Sequence, residues 1–502
     1  MSADPSNIQL LTSELQATLK CDILTPDSPG YAESILRWND AVPNNAAIVV
    51  YPTTPEEVST TVVGCVKYKV PFAVAGGKHT TSTGSSCSGG LVIDLEHMRF
   101  VMVFPNTKSV RVGGGCRWKD VDDTLVNFEL AVVEGIVNDT GVGGITLGGG
   151  YGWLAPRHGL IIDNLMGAKM VLADGRILNT SADENPDLFW AIRGAGQCFG
   201  VVVEFLFQAH DHKDPVWAGI LGLPLSQVEA IIGFGNTLVE TTDGNSAMVV
   251  QLSRYEFTGS GRELGVIAVV FHCGNAGSAQ PIFQPLLDLG PVINTTKEQT
   301  YVSVNNMLTA AAIRGGRNIS KGAAYTTPLR PEFIREVLVP ELDKLHLEVP
   351  GSDRSMLEFE FYKPDKWCEI PVTATAHGHR GRVQNVMIGL HWLDQQDDIR
   401  VENWSRWIAG LVTTERDKNG GPAAGPVTEY GNYDHLSAHP RDVFGVNYDR
   451  LVQLKKVYDP DNVFNSWYSL VGPNSAAFLN GTKEQQSIWV VLIAPYTPDR
   501  ST

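Results

Sequence analysis

Residues 72–95 read FAVAGGKHTTSTGSSCSGGLVIDL, and the reading of this stretch decides the fold. Phe72 to Ala75 is a short apolar run that stops at Gly76-Gly77, and Leu91 to Leu95 resumes as a second buried strand. Between them lies a loop of Gly, Ser and Thr. A strand, a long small-residue loop and another strand form an anion cradle, with many free backbone N–H groups, several hydroxyls and few bulky Cβ atoms. One histidine, His79, sits inside the loop. Taken alone, a loop histidine is most often solvated or simply packed, so its role depends on the rest of the chain.

A second glycine concentration, GVGGITLGGGYGW, covers 141–153. No register of it gives G-x-G-x-x-G, and G-x-x-x-x-G-K-[ST] occurs nowhere in the chain, so neither a Rossmann nor a P-loop reading survives. What remains is a backbone-lined surface suited to close approach of a flat or phosphorylated ligand. A third glycine loop runs from Gly194 to Gly200. Around these loops the chain predicts strands at 47–51, 109–113 and 201–207, a helix at 118–125 and a hairpin about Asp174-Gly175. Thr54-Pro55-Glu56-Glu57 is a capping box opening a helix that ends before Pro71.

From about residue 211 the glycine loops stop and longer elements begin. Ser226-Gln-Val-Glu229 is another capping box. Long strands at 247–257, 263–273, 356–362 and 385–392, with helices such as 331–339 and 398–412, indicate an α+β domain with an antiparallel sheet. Period-two alternation puts Glu358, Glu360 and Tyr362 on one strand face and Leu357, Phe359 and Phe361 on the other. That polar face either lines a cavity or meets solvent. Near the end, Leu451, Leu454 and Tyr458 share a helical face, and Asp459-Pro460 terminates the helix.

The formal net charge of −16 argues against nucleic acid and anionic membrane surfaces as partners. No apolar run approaches the ~20 residues of a membrane span, and the N-terminus shows no signal peptide. Seven scattered cysteines without a C-x-x-C do not read as a disulfide framework. The expectation is a cytoplasmic protein with no membrane association. His377-x-His379 and His210-x-His212 have ligand-compatible spacing, but no carboxylate pattern completes either site, so no metal is expected. No G-x-S-x-G or Cys/His constellation supports a hydrolase.

Several motifs together, A-G-G-K-H-T at 75–80, G-G-L-V-I-D-L at 89–95, the run 141–154, D-N at 163–164, A-D-G at 173–175, F-W-A-I-R-G-A-G at 189–196 and the closing N-Y-D-R-L…Y-D-P-x-N-V-F, carry a resemblance. The chain resembles the FAD-linked oxidases of the berberine-bridge-enzyme and 6-hydroxy-D-nicotine-oxidase-like family, of the vanillyl-alcohol-oxidase type, from about 40 to 470. The resemblance implies an α+β architecture with a lead-in at 1–40, a two-lobed PCMH-type FAD-binding domain at 41–210 and a helix-covered antiparallel sheet domain for substrate at 211–425. A berberine-bridge-like segment at 426–475 then completes the FAD domain, and a tail occupies 476–502.

It further implies that the first loop, through Ala75, Gly76, Gly77, Lys78, Thr80, Thr81, Ser82 and Gly84, cradles the FAD pyrophosphate, and that His79 is bonded to the flavin 8α-methyl group. From the second run, Gly141, Gly143, Gly144, Thr146, Gly148, Gly149, Gly152 and Trp153 are expected at the cofactor, with Asn164, Gly200, Val202 and Asn447 from elsewhere. Where many relatives carry a cysteine for a second flavin bond this chain has Val137, so a single covalent anchor is expected. Ile145, Gln197 and Cys198 are further departures from the family pattern. Tyr430-Gly-Asn-Tyr433 resembles the family's Y-x-N-Y segment, which makes Tyr430 and Asn432 the catalytic candidates, with Glu358, Glu360 or Tyr362 facing them.

The implied reaction is oxidation of a small alcohol, phenol or amine of specialised metabolism, with O2 reoxidising the flavin to give hydrogen peroxide. Oxidative or redox-neutral cyclisation of a secondary metabolite, carbohydrate oxidation, and a dehydrogenase using another acceptor are the alternatives.

Overall fold

The computed structural model describes residues 4–42, 44–213, 215–257, 259, 261–309, 314–420, 425, 427–433 and 439–472, so the tail at 476–502 lies outside the described residues. The quoted stretch forms two strands, Phe72–Ala75 and Leu91–Asp94, that pair in parallel. Parallel neighbours cannot be joined by a tight turn, so the chain between them must travel back along their length. That geometry makes the loop long. Ile48–Tyr51 pairs in parallel on the other side of Leu91–Asp94, and Asp22–Leu24 adds an antiparallel edge.

The helix Pro55–Tyr68 covers this sheet, burying Val58, Val62 and Cys65 against Ile48, Val50, Leu91 and Ile93. Each such aliphatic side chain contributes about 1.5–3 kcal/mol by leaving water. Thr54 caps the helix by accepting from Glu57 N–H at 3.2 Å. The returning half of the predicted box differs: the Glu57 carboxylate accepts from the N–H and hydroxyl of Thr53, at 2.8 and 2.9 Å, and not from Thr54 N–H.

The second lobe is a five-stranded antiparallel sheet in the order Val101–Phe104, Ser109–Gly113, Val201–Gln208, Leu165–Val171, Ile177–Ser181. The third layer is an antiparallel sheet with eight strands among the described residues. Its long members run in the order Val216–Pro224, Glu263–His272, Ser246–Tyr255, Met356–Phe361, Gln384–Trp392, Arg317–Tyr325. Leu357, Phe359 and Phe361 pack under the helices Val228–Thr241, Val339–Glu348 and Asp398–Lys418. One face is therefore committed to a dry core, and alternation turns the Glu358 face the other way.

Two of those strands escaped the sequence. Val216–Pro224 reads as an unbroken apolar run with two glycines, and Arg317–Tyr325 carries two charges, a glycine and two alanines with a single β-branched residue, Ile319. The Ser226 capping box is also absent: a 3₁₀ turn, Leu225–Gln227, occupies it, and Gln227 precedes the helix without a side-chain cap.

The C-terminal segment returns to the first lobes. Lys455, on the helix Tyr448–Tyr458 and fully buried, donates to Asp459 Oδ2 at 2.6 Å and to the carbonyls of Cys198 and Phe464 at 2.6 and 2.7 Å. Phe464 meets Phe72 edge-on at 5.5 Å. A second buried pair, Arg380 with Asp163 at 2.7 and 2.8 Å, ties the sheet domain to the second lobe.

Candidate functional site

One cavity of about 760 Å³ runs from the quoted loop to the polar face of the large sheet. That volume lies within the ~300–1,000 Å³ usual for small-molecule and cofactor sites. The loop supplies Gly76, Gly77, Lys78, His79, Thr80, Thr81, Ser82 and Gly84, and the second glycine run supplies Gly141, Gly143, Gly144 and Ile145. The two glycine stretches meet backbone to backbone: a Cβ on Gly77 would lie 2.3 Å from Gly141 N, and one on Gly141 would lie 2.4 Å from Gly77 N. No side chain fits at either place, so bare peptide groups line that end of the cavity. Gln197 and Gly200 of the third glycine loop and Val202 of the strand that follows close it.

Lys78 adopts the left-handed backbone conformation (φ +56°), which costs a side-chain-bearing residue ~1–2 kcal/mol. Its ammonium is 2.6 Å from the buried Asp94 carboxylate and 3.2 Å from Glu96, so the side chain anchors the loop from behind. His79 then faces the cavity, packed against Trp38 with ring centroids 4.2 Å apart and the planes tilted by 31°. Its Nε2 is buried and has no hydrogen-bond partner among the described residues. Burial pulls the imidazole down to about 4, with Asp139 opposing and Arg314 and Arg117 reinforcing. The ring is therefore neutral at ordinary pH, with a buried Nε2 that nothing among the described residues engages. An orphaned buried nitrogen of this kind calls for a partner from outside the chain. Val137, on the same wall, offers no thiol.

On the opposite wall, Glu358 and Glu360 project from Met356–Phe361, fully enclosed yet facing the cavity. Gln251, directly across the ladder from Glu358, donates to its Oε2 at 2.7 Å. The other Glu358 oxygen accepts no hydrogen bond among the described residues. Burial lifts this carboxyl to about 7, Gln251 opposing and the Glu360 charge adding. Glu360 is engaged through both oxygens, by the Tyr433 hydroxyl at 2.6 Å and Asn385 Nδ2 at 2.8 Å. Burial raises it too, and those two bonds pull it back. Tyr430 receives N–H donors from Gly150 (3.1 Å) and Asn432 (2.9 Å) on its oxygen, leaving its own proton to point elsewhere. Burial pushes its phenol well up, with Asn432 opposing. Tyr362 also stands on the wall.

Eight expected cofactor contacts stand behind the wall rather than on it. Ala75 is a buried strand end. Thr146 donates to Val142 O within the helix Val142–Leu147. Gly148, Gly149 and Gly152 are close-approach points for Asn432, the His377 ring and the Glu134 carbonyl. The glycine run thus serves the cavity in its first half and interlobe packing in its second. Trp153 stacks on Phe271 at 5.3 Å, Asn164 donates to the carbonyls of His158 and Leu160, and Asn447 donates to those of Val372 and Thr375.

Sequence reasoning missed Trp38, Gln251, Asn385 and Tyr433. Gln251 was legible in principle: Val249, Gln251, Ser253 and Tyr255 alternate along one strand face, and a glutamine in an apolar strand marks a lined surface. Trp38, in an irregular lead-in, gives no such signal. Among the described residues no three His, Cys, Asp or Glu side chains cluster as metal ligands, and no helix is long and apolar enough to cross a membrane.

The family model for an FAD binding domain matches residues 46–181, and that for the berberine and berberine-like segment matches 429–469. The chain is 30% identical to the FAD-linked oxidoreductase pgmH of Aspergillus terreus, covering 93% of this chain and 96% of that one. Its fold is similar to that of 6-hydroxy-D-nicotine oxidase from Arthrobacter nicotinovorans (TM-score 0.76, 23% identity, 90% of this chain and 98% of that one). It is similar also to BBE-like 1 of Physcomitrella patens (TM-score 0.79, 20% identity, 92% and 99%).

Proposed function

Since the chain belongs to the FAD-linked oxidoreductases, we propose that it holds FAD covalently through His79 alone and oxidises a small alcohol, phenol or amine of specialised metabolism, with O2 as final acceptor and hydrogen peroxide as product. What carries this reading is the pairing, across one cavity, of the unengaged His79 nitrogen with a Glu358 carboxyl held at about 7. Bound FAD supplies a hydride acceptor at the substrate carbon and returns the electrons to dioxygen.

The chain's own residues do the rest. Bare peptide N–H groups around Gly77 and Gly141 suit a pyrophosphate, which has acceptor oxygens and no tolerance for intruding Cβ atoms. Glu358 Oε1 takes the substrate's O–H or N–H proton: a base near neutrality is best matched to that transfer, and Gln251 fixes the carboxylate's orientation. Glu360, tied by Tyr433 and Asn385, stays in place beside Glu358. Tyr430, its oxygen already holding two donors, presents a hydroxyl proton to substrate and is a donor, not the base. Val137 in place of a thiol supports a single link.

Acid precipitation of the purified protein tests the anchor. Yellow colour should stay with the pellet and move to the supernatant in His79→Ala; colour in the supernatant of unmodified protein overturns the covalent reading. A substrate screen by oxygen uptake with peroxide assay follows. Reoxidation of the reduced protein no faster than free flavin would overturn the oxidase reading.

A further inference from the structure

Between Glu358 and the solvent, the sheet face changes from acidic to basic. The wall runs outward through Glu358 and Met356 on the strand Met356–Phe361 to Arg354, the last residue of the 3₁₀ turn Ser352–Arg354 before it, and through Gln251, Ser253 and Tyr255 on the neighbouring strand to Arg262 in the hairpin loop. Arg354 and Arg262 both line the cavity and are exposed at its mouth. Tyr255 lies between the two regimes: burial raises its phenol, the Glu358 charge adds to that and Arg262 opposes it.

Neither guanidinium has an acid among the described residues. The Arg354 side chain makes no hydrogen bond or ion pair among the described residues. Arg262 donates only to a neutral group, the Arg254 carbonyl, at 3.1 and 2.9 Å. The nearby aspartates are taken: Arg254 holds Asp343 at 2.8 Å and Asp353 at 3.8 Å. The other cations of the site are compensated, Lys78 by Asp94 and Glu96, and Arg314 by Asp139. In a chain with 55 acidic and 39 basic side chains, two arginines at one cavity mouth stand without an acid among the described residues. Planar guanidinium forks are suited to bidentate capture of a carboxylate.

We propose that the substrate is an anion, an elongated aromatic or aliphatic carboxylate whose acid group is held at the mouth by Arg354 and Arg262 while its oxidisable end reaches Glu358. This rests on the oxidase reading for the identity of the inner end. Arg354 precedes Glu358 by four residues, across the join of the 3₁₀ turn and the strand, so their Cα atoms are at most ~14 Å apart, which sets the order of the substrate's length. The guanidiniums bind and orient; they take no part in the proton or hydride transfer.

The test uses purified holoenzyme and two rigid probes of equal size, 4′-hydroxybiphenyl-4-carboxylate and its carboxamide, titrated by isothermal calorimetry with the flavin spectrum recorded alongside. The acid is expected to bind at least ~10-fold more tightly than the amide, with the advantage shrinking as salt is raised. Arg354→Gln and Arg262→Gln should each remove most of that advantage without changing the amide's affinity or the flavin content, and Arg354→Lys should restore part of it. Equal binding of the two probes, no binding of the acid, or an acid affinity unchanged in both glutamine variants overturns the proposal. Protein that arrives without yellow colour fails the flavin reading instead, and the same calorimetric comparison still decides the charge preference. An acid preference in yellow protein that takes up no oxygen with any substrate would retain the anion site and sink the oxidase.

Discussion

Two pairs of carboxyl groups are buried in this molecule, and their surroundings differ more than their burial. Glu358 and Glu360 look into a cavity, with one Glu358 oxygen unengaged. Asp122 and Glu134 sit at the seam between the second lobe and the helix Tyr301–Met307, where Asn305 Nδ2 donates to Asp122 Oδ2 at 3.2 Å and to Glu134 Oε1 at 2.5 Å. Burial pushes Asp122 up to about 6, and pushes Glu134 up further with the Asp122 charge adding. Both pairs therefore favour a bound proton. The difference teaches that a displaced carboxyl marks chemistry only when open space faces it; the seam pair shares its proton with protein and can only hold two domains together.

The comparison breaks most visibly at Glu358→Gln. Loss of the base should lower the rate of anaerobic flavin bleaching by substrate ~10²–10⁴-fold with flavin content unchanged. A rate within threefold of the unmodified protein would make the two pairs equivalent. In the unmodified enzyme that bleaching rate should rise with pH through about 7, as Glu358 loses its proton, and the limb should vanish in the variant.

Glu134→Gln should leave bleaching intact and act on stability. The folded state holds the seam proton more tightly than the unfolded chain does, so stability is fullest below the ordinary carboxyl range and is lost as pH rises through about 6. Scanning calorimetry should show the unmodified Tm falling across that interval and the variant's falling less, a difference of a few degrees by pH 8. A steeper fall in the variant would mean the pair is ionised and stabilising. The smallest effect belongs to Tyr433→Phe, which removes one bond to Glu360 and leaves the other: less than ~10-fold in bleaching rate, with Tm nearly unchanged.

Much of the architecture was legible because its signals are local. The apolar runs about Phe72 and Leu91, the box at Thr54 and the alternation from Leu357 to Phe361 each report on neighbours in sequence. The second half of the glycine run was not, since Gly148 and Gly152 are small for the sake of Asn432 and the Glu134 carbonyl, partners far away in the chain. The same holds for Asn447, whose amide serves three carbonyls of one loop. A polar residue near a cofactor motif is spent on backbone as readily as on ligand, and pattern alone does not separate the two. His79 was legible as a candidate; the geometry that isolates its Nε2 involves Trp38 and Arg314, which no spacing connects to it.

The buried Lys455 hub has a consequence in time. It fastens the helix Tyr448–Tyr458 onto Cys198 and Phe464, and the C-terminal part of the chain also supplies Tyr430, Asn432 and Trp467, which complete the cavity wall. A ribosome delivers His79 early and these residues only after nearly the whole remaining chain, on the order of tens of seconds later. Until then the nascent loop has an imidazole but no closed chamber around it. Closure of the chamber around His79 therefore waits for the C-terminal segment.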